Sequence, residues 1–97
     1  MKHCVLLKLA AGADPVQVQE KIWKALRKLD DELDWLNHPV VYRSALPHAG
    51  DGAYDIMASF ELDGEERLAE YRAHPLTAKL EGRIADAVAE RATFDHY

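Results

Sequence analysis

The sequence predicts a single α+β domain built on a four-stranded antiparallel sheet, and three observations lead to this class. The chain has 97 residues, a length that suits one compact domain. Hydrophobic residues make up 48% of it and charged residues 30%, which is a globular composition rather than a disordered one. Strand-like alternation and helix-like stripes succeed one another in the order β-α-β-β-α-α-β. We therefore treat residues 1–97 as one domain.

The first strand and the first helix are joined by a short turn. Residues 2–9 carry apolar side chains on both faces, as in a central strand that is covered on both sides, and residues 10–13 form the turn. Asp14 can accept hydrogen bonds as the N-cap of a helix that begins with proline. Apolar residues at steps of three and four then predict a helix over residues 15–36, which residues 37–39 end.

Two further strands follow with a glycine-containing connection between them. Residues 40–46 predict the second strand, and residues 47–52 the connection. Residues 53–62 predict the third strand, because apolar and polar residues alternate there.

The last part of the chain predicts two helices and a closing strand. Asp63 is placed to cap the second helix, which carries Tyr71 and stops before Pro75. Pro75 suits the first position of the third helix. The apolar stripe of this helix consists of Leu76, Leu80, Ile84 and Val88. Residues 91–97 predict the closing strand.

This order of elements fits the split β-α-β arrangement of a ferredoxin-like domain. We expect the helical crossovers to place the first and third strands at the centre of the sheet, parallel to each other, with the fourth and second strands at the edges. The side chains that we expect to meet the helices are Val5, Leu7, Leu9, Ile56, Ala58, Phe60, Ala92 and Phe94.

The opposite face of the sheet has no helix in this chain to cover it. Its expected residues are mixed in polarity: Cys4, Leu6, Lys8, Met57, Ser59, Glu61, Thr93 and Asp95. Such a face is either a solvated antiparallel face or the interface of a homodimer in which two sheets stack. Leu6 and Met57 on the central strands favour the dimer.

The net charge and the absence of known motifs argue against several classes of partner and cofactor. The net charge of −5 argues against nucleic acid and against an anionic membrane surface. No signal peptide, membrane span or lipidation site is visible, and Cys4 is the only cysteine, so we expect a reducing cytoplasmic setting. Neither a metal-ligand motif nor a nucleotide-binding motif occurs, so we expect no metal and no cofactor.

Histidines and tyrosines are the candidates for chemistry. His3, Tyr54, Tyr71, His74 and His96 could line one end of a small cavity, where imidazole and phenol can polarise a carbonyl or move a proton near neutral pH. Structural roles are the alternative: His74 then caps the next helix, His3 is a strand histidine bonded to a carboxylate or to backbone, and the tyrosines belong to the core.

Four short motifs occur in order: Lys2-His3-x-Val5-Leu6-x-Lys8, Tyr54-Asp55, Tyr71-x-x-His74-Pro75 and Phe94-Asp95. In this order and spacing the chain resembles the stress-responsive α/β-barrel (Dabb) family over residues 2–97. The resemblance implies a ferredoxin-like protomer that pairs through its sheet into a dimeric α/β barrel. It thereby favours the homodimer over the solvated face.

The resemblance also implies candidate site residues. The family includes a cofactor-free cyclase that closes a linear polyketide by aldol condensation in a pocket between sheet and helices. Its tyrosine corresponds to Tyr71, its His-Pro histidine to His74 and its strand histidine to His3. The position of its catalytic base is Thr77 here, and a threonine hydroxyl cannot act as a base near neutral pH. Ligand-lining residues are expected at Tyr54, Phe94 and His96.

Three functional hypotheses follow. The first is a homodimer that binds a small apolar or polyketide-like ligand between sheet and helices. The second is a cofactor-independent cyclase, lyase or monooxygenase-like enzyme that acts on an enolisable substrate through His3, Tyr71 and His74. The third is a stress-associated dimer without a pocket. An open apolar cavity in contact with His3 and Tyr71 would support the first two, whereas a core filled by side chains would leave only the third.

Overall fold

The computed structural model describes residues 1–46 and 52–97 and has the predicted order of elements. Its strands and helices are β1 Lys2–Leu9, α1 Pro15–Glu32, β2 Leu36–Arg43, β3 Ile56–Leu62, α2 Arg67–Ala73, α3 Pro75–Ile84 and β4 Val88–His96, with a 3-10 turn at Ala85–Ala87. The predicted connection falls mostly on residues 47–51, outside the described residues. In the described ranges, no helix is both long enough and apolar enough to cross a bilayer.

The four strands form one sheet in the order β2-β3-β1-β4. The central placement of the first and third strands is therefore confirmed, but the expectation that they are parallel is wrong. β1 runs antiparallel to both β3 and β4, and β2 runs antiparallel to β3. Each helical crossover joins two parallel strands that are not neighbours, and the strand inserted between them runs the other way.

The core lies between one face of the sheet and the helices. Ile22, Leu26 and Leu29 of α1 share one buried cluster with Ile56 and Phe60 of β3. The N-terminus of α1 forms as predicted, because the side chain of Asp14 accepts a hydrogen bond from the backbone N–H of Val16 at 3.0 Å.

The first helix ends four residues earlier than predicted, at Glu32. Leu33 is already extended, with φ −118° and ψ 125°, and Leu36 begins β2, where it pairs with Leu62 and is fully buried. Leu36 fits both the helical spacing and the inward face of a strand, so its spacing alone did not distinguish them. The predicted helix-ending residues lie inside β2, where a bulge with His38 at φ 55° accommodates Pro39 on this edge strand.

Other boundaries also differ from the prediction: the second strand ends at Arg43 rather than at residue 46. The third strand begins at Ile56 rather than at residue 53. The second helix begins at Arg67, and Asp63 does not cap it but binds the Arg67 side chain at 3.0 Å. Val88 begins β4 instead of continuing the stripe of α3, because the 3-10 turn ends the helix before it.

The predicted inner face of the last strand is wrong. In the register of β4 against β1, Asp95 stands opposite His3 and Thr93 opposite Val5, so these two β4 residues share the helix side. Phe94 pairs with Cys4 on the other face and is 64% exposed. Both faces of this strand carry polar and apolar residues, so alternation alone could not assign them.

The face opposite the helices is a mixed apolar surface, which we call the open face. Toward the strand ends it carries Lys2, Lys8, Glu61, Glu90 and His96; its central residues, in the observed register, are Cys4, Leu6, Val40, Tyr42, Met57, Ser59, Ala92 and Phe94. Tyr42 and Phe94 are the most exposed of these central residues, and Ser59 is buried by its neighbours.

The buried position of Leu36 gives a test of the revised boundary. We expect Leu36→Ala to lower the free energy of unfolding by about 2–5 kcal/mol, because it leaves a cavity in the core. Val16→Ala removes apolar atoms from an exposed position of α1 and should change the free energy of unfolding by less than about 0.5 kcal/mol. Urea denaturation of both variants measures the difference, and an equally small effect of Leu36→Ala would contradict the assignment.

Candidate functional site

The candidate site is centred on His3, which projects from β1 toward the helices and is only 3% exposed. The strand register sets its neighbours, because Phe60 of β3 and Asp95 of β4 stand directly opposite it. The ring atom Nδ1 of His3 is hydrogen-bonded to Oδ1 of Asp95. The bond to a carboxylate that the structural alternative predicted for His3 is therefore present.

Two aromatic rings surround the imidazole. The ring centroids of His3 and Phe60 are 5.4 Å apart, and those of His3 and Tyr71 are 6.1 Å apart. Tyr71 comes from α2 and packs on Phe60 at 4.7 Å. We call these four residues, His3, Phe60, Tyr71 and Asp95, the His3 cluster.

Burial strengthens the preference of Tyr71 for its neutral form. Removal from water raises the pKa of its phenol from 10.0 to about 12, and the negative charge of Glu81 adds to this effect. Arg91 on β4 partly opposes it while pairing with Glu81 at 2.7 Å. Tyr71 is therefore a neutral phenol near pH 7 and can donate a hydrogen bond, but it is not a base.

The pairing of His3 with a carboxylate has a chemical consequence. When Asp95 is ionised it accepts the Nδ1–H hydrogen bond, which leaves the lone pair on Nε2 of the same ring. This arrangement fixes both the tautomer and the orientation of the imidazole, as a carboxylate does in other acid–base sites. It can therefore support proton transfer at Nε2.

His74 is used differently. Its Nδ1 accepts a hydrogen bond from the backbone N–H of Leu76 at 3.1 Å, so it caps α3. The predicted capping role is confirmed. An accepting Nδ1 requires the proton on Nε2, which lies 3.9 Å from a carboxylate oxygen of Glu32 on α1.

Three predicted ligand residues lie away from the His3 cluster. Phe94 is on the open face, and His96 stands opposite Lys2, with the same parity as Phe94. Tyr54 precedes Asp55, whose backbone N–H binds the carbonyl of Leu7. Leu7 is four residues from His3 along β1, so this contact lies about 13 Å from His3.

The described cavities do not touch the predicted catalytic residues. One, of 320 Å³, lies between α1 and β2 beside Trp23 and Tyr42; a second, of 310 Å³, lies between α1 and α3; a third, of 180 Å³, includes Tyr54. None of these three is lined by His3, Tyr71 or His74. These cavities therefore do not meet the criterion of an open cavity beside His3 and Tyr71; on β4 next to the His3 cluster, Thr93 and Asp95 on the helix side are exposed.

Two further observations concern possible ligands. The hydroxyl of Thr77, in the first turn of α3, is buried without a hydrogen-bond partner among the described residues. Within residues 1–46 and 52–97, no group of three or more His, Cys, Asp or Glu side chains could hold a metal ion.

Sequence reasoning missed Asp95 and Phe60 as members of the site. Phe60 was assigned to the core, and Asp95 was assigned to the wrong face. The available signal was strand register: aligning the closing strand antiparallel to the first places Asp95 opposite His3.

Comparison with solved structures supports the fold. A dimeric ferredoxin-like protein of unknown function from Thermobifida fusca is 27% identical, with a TM-score of 0.75 over 96% of this chain and 85% of that one. A dimeric protein of unknown function and ferredoxin-like fold from Bacteroides fragilis is 21% identical, with a TM-score of 0.78 over 98% and 92%. A hydroxynitrile lyase from Passiflora edulis is 10% identical, with a TM-score of 0.73 over 96% and 87%.

Comparison at the level of families supports the predicted resemblance. No curated protein matches the sequence. The model of the stress responsive A/B barrel domain, Dabb, matches residues 1–97, which is the whole chain. The chain therefore belongs to the Dabb family.

Proposed function

We propose that this protein is a homodimer that binds a small apolar or polyketide-like molecule beside the His3 cluster and moves a proton on it without a cofactor. The observation that carries the proposal is the hydrogen bond between the buried imidazole of His3 and Asp95. A buried histidine held by a carboxylate is an arrangement suited to acid–base chemistry near neutral pH.

The proposed chemistry is enolisation. Nε2 of His3 takes a proton from a carbon next to a carbonyl group, and the C–H electron pair moves to the carbonyl oxygen as an enolate forms. The neutral phenol of Tyr71 donates a hydrogen bond to that oxygen, where the charge develops. The proton returns from Nε2 when the enolate is trapped by a carbonyl carbon or reprotonated.

The edge beside β4 is the proposed route for the ligand. α1 lies against β2 and β3, at the far side of the sheet, whereas Thr93 and Asp95 remain exposed on the helix side of β4. A ligand that lies along this edge contacts Asp95 and approaches His3 from the side of β4, whereas the ring of Phe60 is fully buried on the other side of His3. In this proposal His74 supports the site by capping α3. Phe94 and His96 belong to the open face and do not contact the ligand.

The hydroxynitrile lyase neighbour gives limited support. At 10% identity its likeness concerns the fold, and it indicates that this fold accommodates the chemistry of small organic molecules. The choice of proton transfer here depends on the residues of this chain, His3, Asp95 and Tyr71.

The open face supports the homodimer. Leu6 and Met57 lie at its centre, on strands that no helix covers from that side, and Phe94 is 64% exposed at its edge. Stacking two such faces removes this apolar surface from water. The neighbours from Thermobifida fusca and Bacteroides fragilis are dimeric, which agrees with this arrangement. We also propose the reducing cytoplasm as its setting, where the thiol of Cys4 within the seam stays reduced.

The first test measures proton transfer directly. We expect the protein to accelerate deuterium exchange at the methyl group of an aromatic methyl ketone such as acetophenone in D₂O, followed by NMR. His3→Gln should remove most of an acceleration of about 10²–10⁴-fold, the usual contribution of general acid–base catalysis. Asp95→Asn should reduce it because the tautomer of His3 is no longer fixed.

A matched control exists in the same chain. His38 also pairs with a carboxylate, Glu61, at 2.9 Å, but this pair is exposed on the edge of the sheet. His38→Gln should leave the exchange rate unchanged. Since asparagine also caps helices, His74→Asn should keep both α3 and the exchange. Equal exchange by the wild type and His3→Gln would contradict the proposal.

The raised pKa of Tyr71 predicts a dependence of stability on alkaline pH. Between the ordinary value of 10.0 and the folded value of about 12, the unfolded chain loses this proton and the folded chain keeps it. The free energy of unfolding therefore falls as pH rises through this range, by about 2–3 kcal/mol for this group. Tyr71→Phe should lack this component. Urea denaturation of both proteins from pH 9 to pH 12 measures the difference, and identical pH dependence would refute the assignment.

The dimer has an independent test. Sedimentation at micromolar concentration should give about 22 kDa, twice the chain mass of 10.9 kDa. Met57→Lys places a charge at the centre of the open face and should shift the mass to that of one chain. Val16→Lys on the exposed side of α1 should remain dimeric. A wild-type protein that sediments as one chain would rule the dimer out.

A further inference from the structure

A basic groove lies between α1 and α3, apart from the His3 cluster. Its volume is 310 Å³. Six basic side chains line it: Lys21, Lys24, Arg27, Lys28, Lys79 and Arg83. Ala25, Leu76 and Leu80 supply apolar lining, and Asp31 is the single acidic residue. Basic and apolar side chains therefore both line the groove.

The charge of this groove is opposite to that of the chain. Half of the 12 lysines and arginines line it, with one of the 17 acidic residues, although the net charge is −5. None of the six basic side chains forms an ion pair with a carboxylate among the described residues, whereas Arg67 and Arg91 elsewhere do. The positive charge of the groove is therefore not neutralised by the part of the chain that the structure describes.

Like charges also stand next to one another on each helix, although Glu20, Asp31 and Glu32 lie four residues from Lys24, Arg27 and Lys28 on α1. Lys24 and Lys28 are four residues apart on α1, and Lys79 and Arg83 are four residues apart on α3. Like charges at this spacing on a helix destabilise it by a few tenths of a kcal/mol. An anion between the two helices would offset both repulsions at once.

We propose that the groove binds a small organic polyphosphate, with its phosphates among the lysines and arginines and its organic part on Leu76 and Leu80. The volume is at the lower end of the range for small-molecule sites, about 300–1,000 Å³. A stable protein partner needs about 800 Å² of each surface, more than this groove offers. The negative charge of the rest of the chain opposes a long nucleic acid but not a compact anion held within the groove.

The site is separate from the proposed chemistry. The residues that line the groove belong to α1 and α3, and none of them is part of the His3 cluster or of the open face. Binding can therefore be measured whether or not the protein exchanges ketone protons or dimerises.

The test is calorimetric titration of the full chain with ATP and with tripolyphosphate, both without divalent metal, at low ionic strength. We expect ATP to bind several times more tightly than tripolyphosphate, because only ATP has an organic part that can pack on the apolar lining residues. Raising the salt from about 20 to about 200 mM should weaken both at least tenfold, because exposed charges are screened.

Two charge reversals with the same change in net charge distinguish the groove from general electrostatics. Lys24→Glu lies in the groove and should weaken ATP binding at least tenfold. Arg72→Glu lies on α2, outside the groove, and should change it less than twofold. Circular dichroism should show both variants folded, since both positions are exposed.

Several results would overturn the proposal. No heat of binding with ATP at millimolar concentration would remove the site, and equal weakening by the two variants would assign the effect to net charge alone. Equal affinity for ATP and tripolyphosphate would exclude recognition of an organic part. Binding of an acidic helical peptide without binding of ATP would assign the groove to a protein partner instead.

Discussion

The antiparallel register of β1 between β3 and β4 is the constraint on which the rest of this structure depends. It places Phe60 and Asp95 on either side of His3, and the same register puts Phe94 beside Cys4 on the opposite face. A shift of one residue in β4 would exchange these faces. The carboxylate would then leave the buried imidazole, and an exposed phenylalanine would enter the helix layer. Pairing within the sheet therefore determines both the candidate site and the apolar surface proposed for the dimer.

The helices do not cover the sheet evenly, and this asymmetry explains where the site lies. α1 lies against β2 and β3, and its residues Leu26 and Leu29 are fully buried there. On the side of β4 the polar residues Thr93 and Asp95 stand on the inner face and remain exposed to water. A buried imidazole next to a partly hydrated carboxylate results, which is a better arrangement for proton transfer than a fully dry pair whose desolvation would be costly.

Features of this structure that depend on neighbouring residues were predictable from the sequence. Features that depend on which strands pair were not. The order of elements and the start of α1 were predictable, because capping by Asp14 and apolar periodicity are local. The end of α1 was not, since Leu36 satisfies the helical and the strand pattern equally. The antiparallel direction of β1 and β3 and the face of Asp95 depend on which strands are neighbours, and alternation along one strand does not contain that information. The cap at His74 was predicted because His-Pro is a local signal, whereas the pairing of His3 joins residues 92 positions apart.

The net charge of the sequence likewise does not show where the charges lie in the fold. The net charge of −5 is the basis of the prediction that nucleic acid is not a partner, but it averages over a fold that separates the two signs in space. Along the sequence the lysines of α1 look like an ordinary solvated face. Only the packing of α3 beside α1 brings Lys79 and Arg83 to Lys24 and forms a concave site from them. Exposed charges interact strongly only within about one Debye length. A ligand in the groove therefore interacts far more strongly with these cations than with the acidic remainder of the chain. An acidic protein can thus hold a strong local preference for anions, and total charge bears on long polyanions rather than on compact ones.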